Sequence, residues 1–175
     1  MKFVKLCLLL AVAILSGCAS GAVSTNMVPE NVQLTNKHPY SVSVLVDGGK
    51  ETNPMWASQI SNPEFQAAIA ETLAKNGVFS TIIKDGNSDY LLEVNITALQ
   101  QPVIGFSFTV SMSTNWKLTS VKDKKTVMEH IVASSYTAGM GDSVIGVKRL
   151  RIANEGAARE NIKDGVNKIS AIKLP

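Results

Sequence analysis

Side chains able to do nucleophilic or acid–base chemistry are few in this chain of 175 residues. It has two cysteines, Cys7 and Cys18, and two histidines, His38 and His130, which are far apart in sequence. General acid–base catalysis needs a group that titrates near neutral pH, most often a histidine. Ser143 is the serine of a Gly-Asp-Ser sequence. No histidine follows it in the chain that could act as its general base. We therefore assign no catalytic residue and expect a protein that is not an enzyme.

Metal-ligating side chains are equally sparse. Asp85, Asn87 and Asp89 have a calcium-like spacing, but Ile96 stands where an EF-hand loop has its bidentate glutamate. A hairpin turn explains these side chains better, because an Asp-Gly pair is a strong turn signal. The glycine-rich segment 139–146 lacks the Gly-Lys-Ser/Thr sequence of a phosphate-binding loop. We expect no metal and no cofactor, and the lack of a basic–aromatic stripe argues against nucleic acid.

Cys18 is the residue whose chemistry the sequence defines best. A short cationic head and the apolar residues 6–15 precede it, and that run is too short to span a bilayer as a helix. The sequence Leu15-Ser16-Gly17-Cys18 resembles the bacterial lipobox. The resemblance implies cleavage between Gly17 and Cys18, a diacylglycerol on the thiol sulfur and a further acyl chain, such as palmitate, on the freed amine. Two or three chains anchor stably, since each buried CH₂ contributes about 0.8 kcal/mol.

Three segments follow from this motif. Residues 1–17 are predicted to be a removed signal peptide, residues 18–31 a lipidated flexible tether, and residues 32–175 a single periplasmic domain. Enterobacterial lipoproteins that stay in the inner membrane resemble Cys-Asp at the processed end, whereas Ala19 follows the cysteine here. We therefore expect an anchor in the outer membrane, with the body facing the periplasm, in an organism that has this membrane.

The mature chain is of ordinary size and almost neutral. Removing residues 1–17 from the 175-residue chain leaves 158 residues. Loss of Lys2 and Lys5 reduces the 17 basic residues to 15, against 14 acidic ones. Cys7 is lost with the signal peptide and Cys18 is acylated, so no disulfide is expected and the core alone must stabilise the domain.

Hydrophobic periodicity predicts five strands and two helices. Residues 106–118 show the clearest alternation, which predicts that Phe108 and Trp116 are buried and Ser111 is accessible. Two glycines, Gly156 and Gly165, each weaken the last helix by about 1 kcal/mol relative to alanine, so tertiary packing or a break must account for them. The predicted strands cover 42–46, 78–83, 90–99, 106–118 and 126–138, and the helices cover 62–76 and 147–172.

The order of elements is strand, helix, four strands, helix. Adjacent strands with hairpin-length connections favour an antiparallel sheet with its helices on one face. We therefore predict an α+β fold, a two-layer sandwich with a mainly antiparallel sheet of about five strands and two helices on one face.

The body also resembles a broad class of Gram-negative envelope lipoproteins. The resemblance rests on Phe65-x-x-Ala68-x-x-x-x-Leu73-x-x-x-Gly77-x-Phe79, on Asp89-Tyr90-x-Leu92-x-Val94-x-Ile96, and on a strand that ends in Trp116-x-Leu118. It covers about residues 40–138 and is similar to auxiliary lipoproteins of lipid-transport ABC systems and to the lipopolysaccharide-assembly lipoprotein. It implies helices paired with an antiparallel sheet and a role as a non-enzymatic subunit.

Two surface features are candidate partner contacts. Val103 and Ile104 are apolar where a turn is predicted, and Lys148, Arg149 and Arg151 form a basic cluster after the glycine-rich segment. Our leading hypothesis is a non-catalytic, lipid-anchored accessory or assembly subunit of a cell-envelope complex that has protein partners. The alternative is a periplasmic module that binds a lipid or glycan in the gap between sheet and helices.

Overall fold

The computed structural model describes residues 19–84 and 87–175. The predicted signal peptide, Cys18 and two turn residues, Asp85 and Gly86, lie outside the described residues. The elements are α1 (Ser24–Met27), β1 (His38–Asp47), α2 (Asn62–Asn76), β2 (Phe79–Ile83), β3 (Tyr90–Gln100), β4 (Phe108–Ser120), β5 (Lys125–Ala138) and α3 (Gly146–Ala171).

The predicted fold class is confirmed. Five strands form one sheet in the order β2-β1-β3-β4-β5, and α2 and α3 pack on it. The pairs β3/β4 and β4/β5 are antiparallel and have the longest ladders, whereas β1 is parallel to both β2 and β3. The sheet is therefore mixed, and its antiparallel half is the half that the alternation of β4 predicts.

The predicted hairpin between β2 and β3 is wrong, because β1 lies between these two strands. Ser43 of β1 is level with the last residue of β2 on one side, and Val42 is level with the first residue of β3 on the other. The connection must therefore cross β1. Ser88 follows that crossing, and its hydroxyl lies 2.9 Å from the hydroxyl of Ser43.

Strand β4 confirms the predicted buried face. Phe108, Val110, Met112 and Trp116 are buried, whereas Thr109, Ser111 and Ser113 on the other face are exposed or half-exposed. The strand begins at Phe108, however, and Phe106 is exposed in the preceding loop, where the alternation predicted a buried side chain.

Tertiary packing accounts for the two glycines of α3. A β-carbon on Gly156 would lie 2.2 Å from the ring of Tyr136, and one on Gly165 would lie 2.4 Å from the indole of Trp116. Only hydrogen at these positions lets the helix approach the two aromatic rings of the sheet. The helix continues through both glycines, from Gly146 to Ala171.

Candidate functional site

A buried arginine joins two loops at one end of the sheet. Arg149, in the first turn of α3, is only 5% exposed. Its Nη1 donates to the carbonyl oxygen of Ser143 at 2.7 Å, and its Nη2 donates to that of Gly105 at 3.1 Å. The guanidinium also stacks over the ring of Phe108, 4.8 Å from its centroid. Loops 101–107 and 139–145 are therefore held side by side beyond the start of α3.

A second polar network holds the loop between β1 and α2 against the same helix. The side-chain amide of Gln101 donates to the carbonyl of Ser58 at 2.7 Å and to Oδ1 of Asn154 at 2.8 Å. Asn154 itself donates to the Ser58 carbonyl at 2.9 Å. Asn154 lies five residues after Arg149, which is about 7.5 Å along a helix. Three loops therefore meet around the first turns of α3.

The residues after Cys18 are attached to this same region. Ala19 donates its N–H to the carbonyl of Pro54 at 2.8 Å, and Ala22 donates to that of Gln59 at 3.0 Å. Arg151 of α3 donates to the hydroxyl of Ser20 at 2.8 Å. The first described residue thus lies against the loop between β1 and α2.

Carboxylates fix the short helix α1 in place. Glu155 is buried and accepts the N–H of Val23 at 3.2 Å and the side-chain amide of Asn26 at 3.0 Å, while Glu64 accepts the N–H of Ser24. Negative charge at the free N–H groups of a helix start is stabilising. The expected flexible tether over 18–31 therefore differs from the structure, in which Ala22 and Met27 are buried against the body.

Exposed apolar side chains concentrate on the three loops of this end. We define the apolar end by its most exposed members, which are Met55, Trp56, Val103, Ile104, Phe106 and Val144. Trp56, for example, is 76% exposed. Segments 53–59 and 101–107 contain no charged residue. A soluble surface seldom gathers so many large apolar side chains unless they meet another apolar surface.

The predicted contact residues fall at this same end but are not equivalent. Val103 and Ile104 are almost fully exposed at a loop tip, and Lys148 is exposed in the first turn of α3. Arg149 differs from the expectation of a surface cation, because its guanidinium is engaged inside the fold. Arg151 is half-buried and lies between Ser20 and Glu155, with Nε 3.6 Å from Oε1.

The residues considered for catalysis do not meet. His38 is buried, and its Nε2 lies 3.1 Å from the carbonyl oxygen of Ile169, near the end of α3. His130 is exposed on β5. It lies eight residues before Ala138, the end of the strand that leads to Ser143, and eight residues of strand span about 26 Å. The hydroxyl of Ser143 bonds within its own loop to Ile145. In the described part of the chain, no group of three or more His, Cys, Asp or Glu side chains could hold a metal ion.

Asp89 has a structural task at the crossing over β1. Its carboxylate accepts the hydroxyl of Ser41 at 2.6 Å and the Ser41 N–H at 2.8 Å. These bonds, the hydroxyl first, lower the pKa of Asp89 below its usual value. Burial, with a smaller contribution from nearby Tyr40, raises the pKa of Tyr90. These contacts account for Asp89 without a calcium ion.

Side chains fill the gap between the sheet and the helices. Trp116, Met112 and Ile162 are fully buried there, and the indole Nε1–H of Trp116 donates to Thr114 at 2.8 Å and to Asn161 at 3.2 Å. A surface depression of about 670 Å³, open to solvent, lies elsewhere. Residues 25–31 form one side of it and α3 forms the other. The buried side chains Trp116, Met112 and Ile162 occupy the place at which the alternative hypothesis expects a ligand.

Sequence reasoning missed several residues of this region. Glu64 and Glu155 look like ordinary charged positions of amphipathic helices, and nothing local marks them as partners of residues 23–26. Met55-Trp56 gave the clearest overlooked signal, because two large apolar residues stand in a segment with neither helical nor strand periodicity.

Within residues 19–84 and 87–175, none of the helices is both long and apolar enough to cross a bilayer.

The comparisons with known proteins identify the fold. No protein-family model and no curated sequence relative matches the chain. Solved structures that are similar include a Xanthomonas campestris protein of the DUF330 family model, with a TM-score of 0.60 and 13% identity over 86% of this chain and 91% of that one. The PelC dodecamer of Paraburkholderia phytofirmans has a TM-score of 0.53 and 14% identity over 82% and 95% of the two chains. A minor lipoprotein of Acinetobacter baumannii has a TM-score of 0.50 and 8% identity over 77% and 95%. The chain therefore shares its α+β fold with proteins of Gram-negative bacteria, one of them named a lipoprotein.

Proposed function

We propose that this chain is a lipid-anchored envelope lipoprotein that works as a non-catalytic accessory or assembly subunit of a cell-envelope complex. The observation that carries the proposal is the Leu-Ser-Gly-Cys motif placed directly before a folded domain, with Ala19 already bonded to the body. A fold that a minor lipoprotein of Acinetobacter baumannii also has supports the proposal. The sequence also resembles auxiliary lipoproteins of lipid-transport systems. This resemblance supports a subunit role.

The anchor is tested by replacing Cys18 with serine. A serine hydroxyl is not the thiol that receives diacylglycerol, so the variant should take up no fatty acid. Cells grown with a clickable palmitate analogue report the label directly on the isolated protein. Equal labelling of Cys18→Ser and the parent would contradict the lipoprotein proposal. Sucrose-gradient fractionation of the parent checks the membrane, and the protein should sediment with outer-membrane markers.

The subunit role is tested by affinity purification after mild crosslinking in intact cells. The acylated protein should recover the same envelope proteins repeatedly, and the Cys18→Ser variant should recover fewer of them because it is no longer held at the membrane. Recovery of this chain with itself alone would argue for a homo-oligomer, a state that PelC, of similar fold, adopts as a dodecamer.

Non-catalytic action is tested on the side chains best able to do chemistry. Separate His130→Ala and Ser143→Ala variants should complement a deletion strain fully, because His130 and Ser143 do not meet and the Ser143 hydroxyl is bonded to the backbone of Ile145. Loss of complementation by either variant in a folded, acylated protein would require a search for an enzymatic reaction.

A further inference from the structure

We propose that the apolar end of this protein docks onto the lipid bilayer that holds its own anchor, with the tips of loops 53–56 and 101–107 inserted among the lipid head groups. This inference rests on the proposed acylation of Cys18 and deepens it, because it gives the body one fixed orientation on the membrane.

The place where the chain enters the described fold carries the first step. Cys18 directly precedes Ala19 in the chain, and the Cα atoms of consecutive residues are 3.8 Å apart. Ala19 is buried and bonded to Pro54, and Pro54 immediately precedes the exposed pair Met55-Trp56. An acylated Cys18 must itself sit at the bilayer surface. The loop that carries Trp56 is therefore brought to the lipid head groups by the anchor.

The second step is that the other apolar loop is tied to the same place. Gln101, at the start of loop 101–107, bonds to Ser58 and to Gln59 of the loop that holds Ala19. Arg149 then fixes the middle of loop 101–107 through the carbonyl of Gly105. The exposed side chains Ile104 and Phe106 consequently share one end of the molecule with the anchor.

Residue chemistry gives the third step. Tryptophan and phenylalanine favour the zone between head groups and acyl chains, where an apolar ring meets polar surroundings. Loops 53–59 and 101–107 have no charge to keep them out of that zone. Among the exposed charges nearby, Lys148 is suited to phosphate groups of anionic lipids.

The opposite end of the fold is different. The C-terminal Pro175 accepts hydrogen bonds from the hydroxyls of Tyr40 and Tyr90, at the far end of α3, which is about 39 Å long. There the described residues expose one large apolar side chain, Val121 at 42%, in the turn between β4 and β5. Docking through the apolar end would therefore point Pro175 away from the membrane.

The test uses the acylated protein in vesicles of phosphatidylethanolamine and phosphatidylglycerol. Apart from Cys18 no cysteine remains after processing, so an environment-sensitive fluorophore can be attached at one introduced thiol. Ile104→Cys reports on the apolar end. Ile131→Cys is the matched control, because Ile104 and Ile131 are 89% and 75% exposed, and Ile131 lies seven residues, about 23 Å, along β5 from the strand end at Ala138. Met55→Cys tests the second loop.

We expect the label at 104, and the label at 55, to shift to the blue in vesicles and to be quenched by nitroxides on the lipid acyl chains. An insertion depth of about 5–10 Å corresponds to the boundary of head groups and acyl chains. The label at 131 should keep its aqueous emission and escape quenching.

Two results would overturn the docking inference while leaving the lipoprotein proposal intact. In the first, the protein sediments with the vesicles but the label at 104 stays as aqueous as the label at 131. In the second, the label at 104 shifts to the blue without quenching by lipid nitroxides, which would mean that another protein or a second copy covers the loop. A processed chain without lipid on Cys18 by mass spectrometry, and without sedimentation, contradicts the proposed function and the docking together.

Discussion

Replacing Gly165 with alanine tests the closest approach between α3 and the sheet. At an exposed helical position this change normally stabilises a protein, because alanine is better than glycine in a helix by about 1 kcal/mol. Here the new β-carbon would lie 2.4 Å from Cε2 and 2.5 Å from Cζ2 of Trp116. An ordinary van der Waals contact begins near 3.4 Å. The helix or the indole must therefore move by about 1 Å.

Neither element can move freely. Trp116 is fully buried, and its Nε1–H is bonded to Thr114 and Asn161, so a shift of the ring also disturbs those bonds. Overpacking of a rigid site costs about 3 kcal/mol at the upper end of the usual range. After the helical gain of about 1 kcal/mol is subtracted, Gly165→Ala should lower the free energy of unfolding by about 2 kcal/mol.

The assay is thermal and urea unfolding followed by circular dichroism. For a domain of this size the expected loss corresponds to a fall in Tm of about 4–8 °C. Gly141→Ala is the matched control, because a β-carbon there meets nothing within 4 Å and the backbone has no positive φ. Gly141→Ala should be neutral or slightly stabilising. A second variant, Trp116→Phe, removes part of the ring, so the double variant should lose less stability than the two single losses added together.

A Gly165→Ala protein as stable as Gly141→Ala would refute the reasoning. It would mean that α3 does not rest on the indole, and that the glycine is there for another reason. Additive losses in the Gly165→Ala and Trp116→Phe pair would lead to the same conclusion, since a smaller ring should relieve part of the clash.

Three further outcomes are expected. Phe108→Ala should lower the free energy of unfolding by about 3–5 kcal/mol, whereas Ser111→Ala on the other face of β4 should change it little. Equal losses of stability in urea unfolding would mean that the buried face of β4 is assigned wrongly. Asp89 has a lowered pKa in the folded state, so its contribution to stability is complete above its ordinary pKa near 4 and is lost as the pH falls through the lowered value. Asp89→Asn should therefore flatten the stability profile below about pH 5, measured by urea unfolding at descending pH, and an unchanged profile would argue against the bonds to Ser41. Glu155→Gln should raise amide hydrogen exchange over residues 22–27 while leaving β4 protected; unchanged exchange would show that the carboxylate does not hold α1.

The antiparallel half of the sheet could be predicted because its signal is local and repeated. Strand β4 is long, one face is buried and one is polar, so its period of two persists over many residues. The end of α2 could also be predicted, since Gly77 has φ 62°, the left-handed conformation that glycine favours at the end of a helix. Such features depend on neighbours in sequence, and the pattern records them directly.

The order of β1, β2 and β3 could not be read in the same way. An Asp-Gly pair after β2 is typical of a hairpin, but the strand that follows pairs with β1 instead. The deciding contacts are those of Ser41 with Asp89 and of Ser43 with Ser88, 48 and 45 residues apart. Nothing in either segment alone distinguishes a solvent-exposed serine from a serine that hydrogen-bonds to the connection crossing β1.

The candidate site shows the same limit. Val103 and Ile104 were recognisable because apolar residues in a turn are unusual, and the structure leaves them exposed. Arg149 looked like its neighbours Lys148 and Arg151 in sequence, yet it is buried. Its burial depends on carbonyl groups from two loops that approach only in the folded chain, and a buried arginine needs such partners.

The fixed position of residues 19–27 changes how the body can meet a partner. A flexible tether of that composition over residues 18–31 would let the body range over about 20 Å from the proposed anchor at Cys18. With Ala19 bonded to Pro54 and Glu155 holding α1, almost no free chain separates Cys18 from the fold. Rotation about the few bonds near Cys18 is all that would remain, and insertion of the apolar end would remove much of it. A protein partner would then approach the surfaces turned away from the membrane, such as the open edges of β2 and β5 and the polar face of β4.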